Sequence, residues 1–143
     1  MKLLEEQYYR FKVVKTVILP DRSENMILLG PDGRKYMLPL AYYLDYDLMD
    51  KTEITCRVDK INCRGKVFLE PENPWYAPGD NIEATVKNVG FDEDEKMFIV
   101  DVNILHGLTI SVKMNSRPSE GVIRCTVLKI RKGKPVLIPY LEE

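Results

Sequence analysis

The chain has one histidine, one tryptophan and three cysteines among its 143 residues. His106 stands beside Gly107 with no serine or aspartate motif around it, so no nucleophile–base pair of the kind used in covalent catalysis can be assembled from it. It is read as a turn residue. The pattern Gly-x-Gly never occurs, which removes a glycine-rich phosphate cradle. Cys56 and Cys63 are seven residues apart, a spacing foreign to zinc knuckles, and the total is odd. Reduced thiols, no metal and no cofactor are the expectation. Without a catalytic constellation, an enzyme is not expected. No apolar run approaches the ~20 residues of a membrane span. The opening Met1–Arg10 turns acidic at Glu5-Glu6, too early for a secretory signal, so a cytoplasmic location is expected. Charge of one sign is missing too. There are 21 basic and 22 acidic residues, for a net charge of −1. This argues against a protein held to nucleic acid mainly by bulk charge, and leaves a local basic groove open.

What the sequence does have is a repeat. Cys56, Val58, Lys60 and Ile61 match Cys125, Val127, Lys129 and Ile130 with one constant shift. Gly65, Lys66, Leu69 and Pro71 match Gly133, Lys134, Leu137 and Pro139 after a one-residue deletion. A repeat of this length implies duplication of a folding unit. Pro71, Pro74 and Pro78 punctuate residues 70–80, which read as a stiff linker between a first domain, 1–71, and a second, 72–143. The first half carries 12 basic and 11 acidic residues and the second 9 and 11, so neither is a basic domain.

Apolar alternation and turn residues give five strands per half. In the first half these run over 11–19, 26–29, 35–38, a strand containing Ile54, Cys56 and Val58, and 67–69, with Pro31-Asp32-Gly33 as a hairpin turn. In the second they run over 82–89, 97–102, 108–112, a strand containing Ile123, Cys125 and Val127, and 136–138. Val14-Lys15-Thr16-Val17 parallels Val86-Lys87-Asn88-Val89. Residues 41–50, with Tyr42, Tyr43 and Tyr46, suggest a short helix between the third and fourth strands of the first half. The expected fold is all-β, two tandem five-stranded barrels of the oligonucleotide/oligosaccharide-binding (OB) type. Alternation turns Cys56 and Cys125 inward.

Within that class, three stretches carry a finer resemblance. Pro78-Gly79-Asp80-x-Ile82-x-Ala84-x-Val86-Lys87-x-Val89 resembles the opening strand of the S-one RNA-binding domain. Residues 121–130 resemble its fourth strand, and Gly65-Lys66-Val67-Phe68-Leu69 its closing strand. The resemblance implies single-strand binding, with RNA favoured over DNA. That family carries aromatics on the second strand, a histidine late in the third, and an Asp and an Arg flanking the last hairpin. Here the second strands are aliphatic except for Phe98, and Tyr36 is the aromatic on a third strand. Asn62 and Arg131 stand nearest the Asp position, Lys66 and Lys134 nearest the Arg position.

The candidate site is the loop between the fourth and fifth strands. It carries Lys60, Asn62, Arg64 and Lys66 in one half and Lys129, Arg131, Lys132 and Lys134 in the other. In this barrel class that loop borders the ligand groove, and clustered cations there would neutralise phosphates. Tyr36 is the stacking candidate. The alternative is a protein-interaction module on the same fold, with no nucleic-acid binding. Its partner would meet Tyr42, Tyr43, Tyr46, Trp75 and Tyr76, although such aromatics more often glue small barrels together. The run Asp92–Glu95, between the first two strands of the second half, would repel a phosphate chain.

Overall fold

The computed structural model describes residues 1–140, with His106 described by its backbone alone. Among the described residues, every regular element except two single 3₁₀ turns is a strand. The chain divides into two compact units, 1–74 and 75–143.

The first unit contains β1 (Tyr8–Ile18), β2 (Glu24–Leu29), β3 (Lys35–Pro39), β4 (Glu53–Ile61) and β5 (Val67–Pro71). They form one antiparallel, barrel-shaped sheet in the order β3-β2-β1-β4-β5. The second unit contains β6 (Asn81–Asp92), β7 (Met97–Asn103), β8 (Thr109–Met114), β9 (Val122–Arg131) and β10 (Lys134–Pro139), in the equivalent order β10-β9-β6-β7-β8. Both units are consistent with OB-like folds. The long first strand of each spans two neighbours because a bulge lets it bend. The register slips between Val13 and Lys15 in β1, and between Val86 and Asn88 in β6. A second slip recurs where the last two strands pair, opposite Asp59 in one unit and opposite Leu128 in the other.

Those bulges correct the sequence parallel. Tyr9 pairs with Cys56 and Ile82 pairs with Cys125. Counting from there, Val13 corresponds to Val86, and Val14 to the bulged Lys87. The alignment of Val14 with Val86 is therefore one residue out of register. Val13 and Val14 both precede Lys15, so matching the Val-Lys pair to Val86-Lys87 selects the second valine where the register selects the first.

Inward-facing residues build a core in each unit. Phe11, Met26, Leu28, Leu38 and Val58 are fully buried in the first, and Val100, Val102, Val112 and Val127 in the second. Each large side chain contributes about 1.5–3 kcal/mol by leaving water. Cys56 and Cys125 lie inside these cores, and Cys63 is exposed. The second barrel brings β8 and β10 together across its seam. In the first, residues 40–50 reach from one side of the sheet toward the other. Leu40 N–H donates to the carbonyl of Glu24 on β2, Tyr43 hydrogen-bonds Glu70 on β5, and Asn73 donates to the Tyr46 hydroxyl (2.9 Å). This segment holds one 3₁₀ turn, Leu44–Tyr46, where the sequence suggested a helix. It has no N-cap hydrogen bond, and Asp47 at its end is left-handed (φ 56°), so one turn forms and stops.

Candidate functional site

The β4–β5 hairpin of the first unit is built by Asn62. Its side-chain oxygen accepts the N–H groups of Arg64 (3.0 Å) and Lys66 (2.8 Å). Its own N–H donates to the Lys66 carbonyl (2.9 Å), and Gly65 sits at φ 82°. Asn62 is thus the scaffold of the turn, with its oxygen already committed. Arg64 and Lys66 project into solvent. Lys60 is exposed on β4 and pairs across the ladder with Phe68. The adjacent bulge residue Asp59 is neutralised by Arg57 at 2.7 Å, so it does not cancel Lys60. Glu5 approaches the same hairpin, where its carboxylate accepts the Ile61 N–H (2.9 Å).

The β9–β10 hairpin is tighter. Arg131 and Lys134 pair directly and enclose only Lys132 (φ 50°) and Gly133 (φ 80°), both left-handed as a type I′ turn requires. Arg131, Lys132 and Lys134 are exposed, and Lys129 is half-buried. The hairpin residues the sequence singled out therefore gather in two basic clusters, one on each unit.

Tyr36 is placed differently from them. It is half-buried at the end of the first barrel, its ring edge-to-face with Phe11 (ring centres 5.9 Å apart) and its hydroxyl donating to Asp32. Burial, then the Asp32 carboxylate, pushes the phenol up to about 12. A Cβ built on Gly30 would come within 2.9 Å of this ring, so the backbone itself is packed against it. Tyr43, Tyr46 and Tyr76 are buried in their own units, and Trp75 packs on the second core. Of the five aromatics proposed as a contact surface, Tyr42 alone is exposed. Glu70, a buried carboxyl, lies beside Tyr43 and Tyr46 and raises both phenols after burial has done so.

Register exposes a feature that the sequence conceals. The outward face of β1–β2–β3 presents Lys12, Leu29 and Lys35 in one cross-strand row, and Lys15, Ile27 and Met37 in the next. Arg10, two residues before Lys12, is exposed on the same face. None of Arg10, Lys12, Lys15 and Lys35 has an ion-pair partner within 4.0 Å among the described residues, although Glu53 on β4 is the cross-strand neighbour of Lys12. The equivalent rows of the second barrel are Thr85, Asn103, Thr109 and Asn88, Asp101, Ser111. Two pairs within these rows hydrogen-bond each other. Thr109 donates to Asn103 (2.9 Å) and Ser111 donates to Asp101 (2.6 Å). Farther along, Lys113 binds Glu95 at 2.7 Å, and Lys96 lies 3.6 Å from Glu93. Asp92 caps the same acidic turn by accepting the N–H groups of Asp94 and Glu95. The only signal in the sequence for the first face was the spacing of cations at 10 and 12 on one strand, and the bulge hides Lys15 from that alternation.

The sequence matches no family model and no curated protein.

Proposed function

We propose that this protein is a non-catalytic binder of single-stranded nucleic acid, RNA before DNA, in which the first barrel is the principal binding unit. The observation that carries this reading is the contrast between register-equivalent faces. Lys12, Lys15 and Lys35 stand where the second barrel has Thr85, Asn88 and Thr109. Cations spaced along a sheet face that hold no ion pair among the described residues can exchange counterions for phosphates, and that exchange is the main source of affinity for a polyanion. Exposed Met37, with half-buried Ile27 and Leu29 beside it, offers apolar contact for sugars and base faces. The basic hairpins, with Lys60, Arg64 and Lys66 in one unit and Lys129, Arg131, Lys132 and Lys134 in the other, offer each unit further cations for phosphates. In the second barrel Thr109 with Asn103 and Ser111 with Asp101 hydrogen-bond each other on that face, and the Asp92–Glu95 turn adds negative charge.

The test is fluorescence anisotropy of a labelled single-stranded oligonucleotide with the full chain at low salt. Micromolar binding is expected. Replacing Lys12, Lys15 and Lys35 together by Gln should weaken it at least tenfold, while Arg131→Gln with Lys134→Gln should weaken it less. No binding at low salt overturns the reading.

One observation favours a second reading, a protein-docking surface. Tyr42, Leu44 and Met49 are exposed within a single ten-residue segment, with Leu44 79% exposed. Sedimentation of the wild type beside a Leu44→Ser, Met49→Ser variant tests it, and identical behaviour in the presence and absence of a candidate partner counts against it. Tyr76 is unsuitable as a probe, because its hydroxyl accepts the Leu105 N–H (3.0 Å) inside the second barrel.

A further inference from the structure

Phe68 is a large exposed aromatic that stands among exposed cations on an outward face, as Tyr8 does beside Arg10 on β1. It lies on β5, is 41% exposed, and pairs across the ladder with Lys60. The Lys66 ammonium lies 5.1 Å from its ring centre. The other exposed phenylalanine, Phe91, is turned against Phe98 with ring centres 5.0 Å apart and adjoins the acidic turn. Tyr42 meets the edge of Tyr43. Tyr8 is exposed, but its cross-strand neighbour Arg57 is already paired with Asp59. Relative to the bulge that precedes it, Phe68 occupies the register held by Val136 in the second barrel, opposite Lys129. The duplicated hairpin therefore carries cations in both copies and an aromatic in one.

We propose that Phe68 is a base-stacking platform, so that the ligand is read through at least one unpaired base in addition to its phosphates. This rests on the nucleic-acid reading above. In the free protein the ring is covered by Lys66. A cation over an exposed ring is held only about two- to fivefold in equilibrium terms, whereas a stacked base contributes about five- to 100-fold. A base therefore displaces the ammonium, and the released Lys66 is left beside the strand to meet the adjoining phosphate. Lys60 is positioned to take a second phosphate next to the ring. The second hairpin, with Val136 at the equivalent position, would contact phosphates without stacking.

The experiment compares three labelled strands of about 12 nucleotides, within the site sizes typical of this barrel class: oligouridylate, oligothymidylate, and an abasic strand with the same number of phosphates. The full-length wild type should bind the two base-bearing strands about five- to 100-fold more tightly than the abasic one. Phe68→Ala and Phe68→Leu should bind all three with the wild type's affinity for the abasic strand, and Phe68→Trp should restore the preference. In a Trp75→Phe background the introduced indole should also be quenched by base-bearing strands alone. Because the side chain is partly exposed, an unchanged melting profile will confirm that these variants fold. If the wild type does not discriminate, or Phe68→Leu discriminates as the wild type does, the platform is overturned while phosphate binding stands. If no strand binds, the nucleic-acid reading fails and takes this inference with it.

Discussion

Raising the pH from 9 to 12 should destabilise the first barrel through its buried tyrosines. Tyr46 is buried, and loss of water around it raises its phenol from 10.0 to about 12, with the nearby Glu70 adding in the same direction and the Asn73 hydrogen bond opposing. A phenol whose folded value lies above its unfolded one stabilises the fold fully below pH 10. That stabilisation is lost as the pH climbs from 10 to 12, because the unfolded chain sheds the proton first. A two-unit separation corresponds to a loss of about 1.4 kcal/mol by pH 11 and roughly 2 kcal/mol by pH 12. Tyr43 adds to this, since burial and its contact with Glu70 push its phenol up as well. The assay is urea unfolding at a series of pH values, comparing the wild type with Tyr46→Phe. The variant should start somewhat less stable at neutral pH, because Asn73 loses its acceptor. Its stability should then fall less steeply above pH 10. Parallel pH profiles for the two proteins would refute the reasoning, because they would mean that the Tyr46 proton is not linked to folding.

Three further outcomes follow from local geometry. Gly30→Ala places a Cβ 2.6 Å from the Asp32 carboxylate and 2.9 Å from the Tyr36 ring. The carboxylate can move but the ring is packed on Phe11, so a loss of about 1–3 kcal/mol is expected, read as a lower melting temperature. Asn62→Ala leaves the Arg64 and Lys66 N–H groups to water; it should cost about 1 kcal/mol and speed hydrogen exchange at those two amides. Lys132→Gly relieves a left-handed side chain in the type I′ turn at the cost of a more flexible unfolded chain, so denaturant stability should move by less than about 1 kcal/mol. A larger loss would mean that the Lys132 side chain holds the hairpin.

The strand order was legible because alternation and turn residues are local signals. Cys56, Val58, Cys125 and Val127 face inward as period-two spacing demands. The hairpin cations were legible for the same reason, since 64 and 66, or 131, 132 and 134, are neighbours in the chain. The cationic face was not, because Lys12, Lys15 and Lys35 come from two strands and meet only through register, with a bulge between the first two. The tyrosine-rich segment was visible as a cluster. Its burial depends on Glu70 and Asn73, more than twenty residues later, and that pairing leaves no local trace. Phe68 fits the alternation of a strand whichever face it occupies, and its cation neighbours emerge only when β4 and β5 are laid side by side.

The central claim concerns which barrel, and which of its faces, meets nucleic acid. Backbone chemical-shift mapping of the full chain during titration with a short oligouridylate tests it directly. The account predicts shifts at Arg10, Lys12, Lys15, Lys35 and Met37 and along the hairpin from Lys60 to Phe68, with smaller ones from Lys129 to Lys134 and none along β7 and β8. Shifts confined to residues 75–140, or no shifts at low salt, would contradict it.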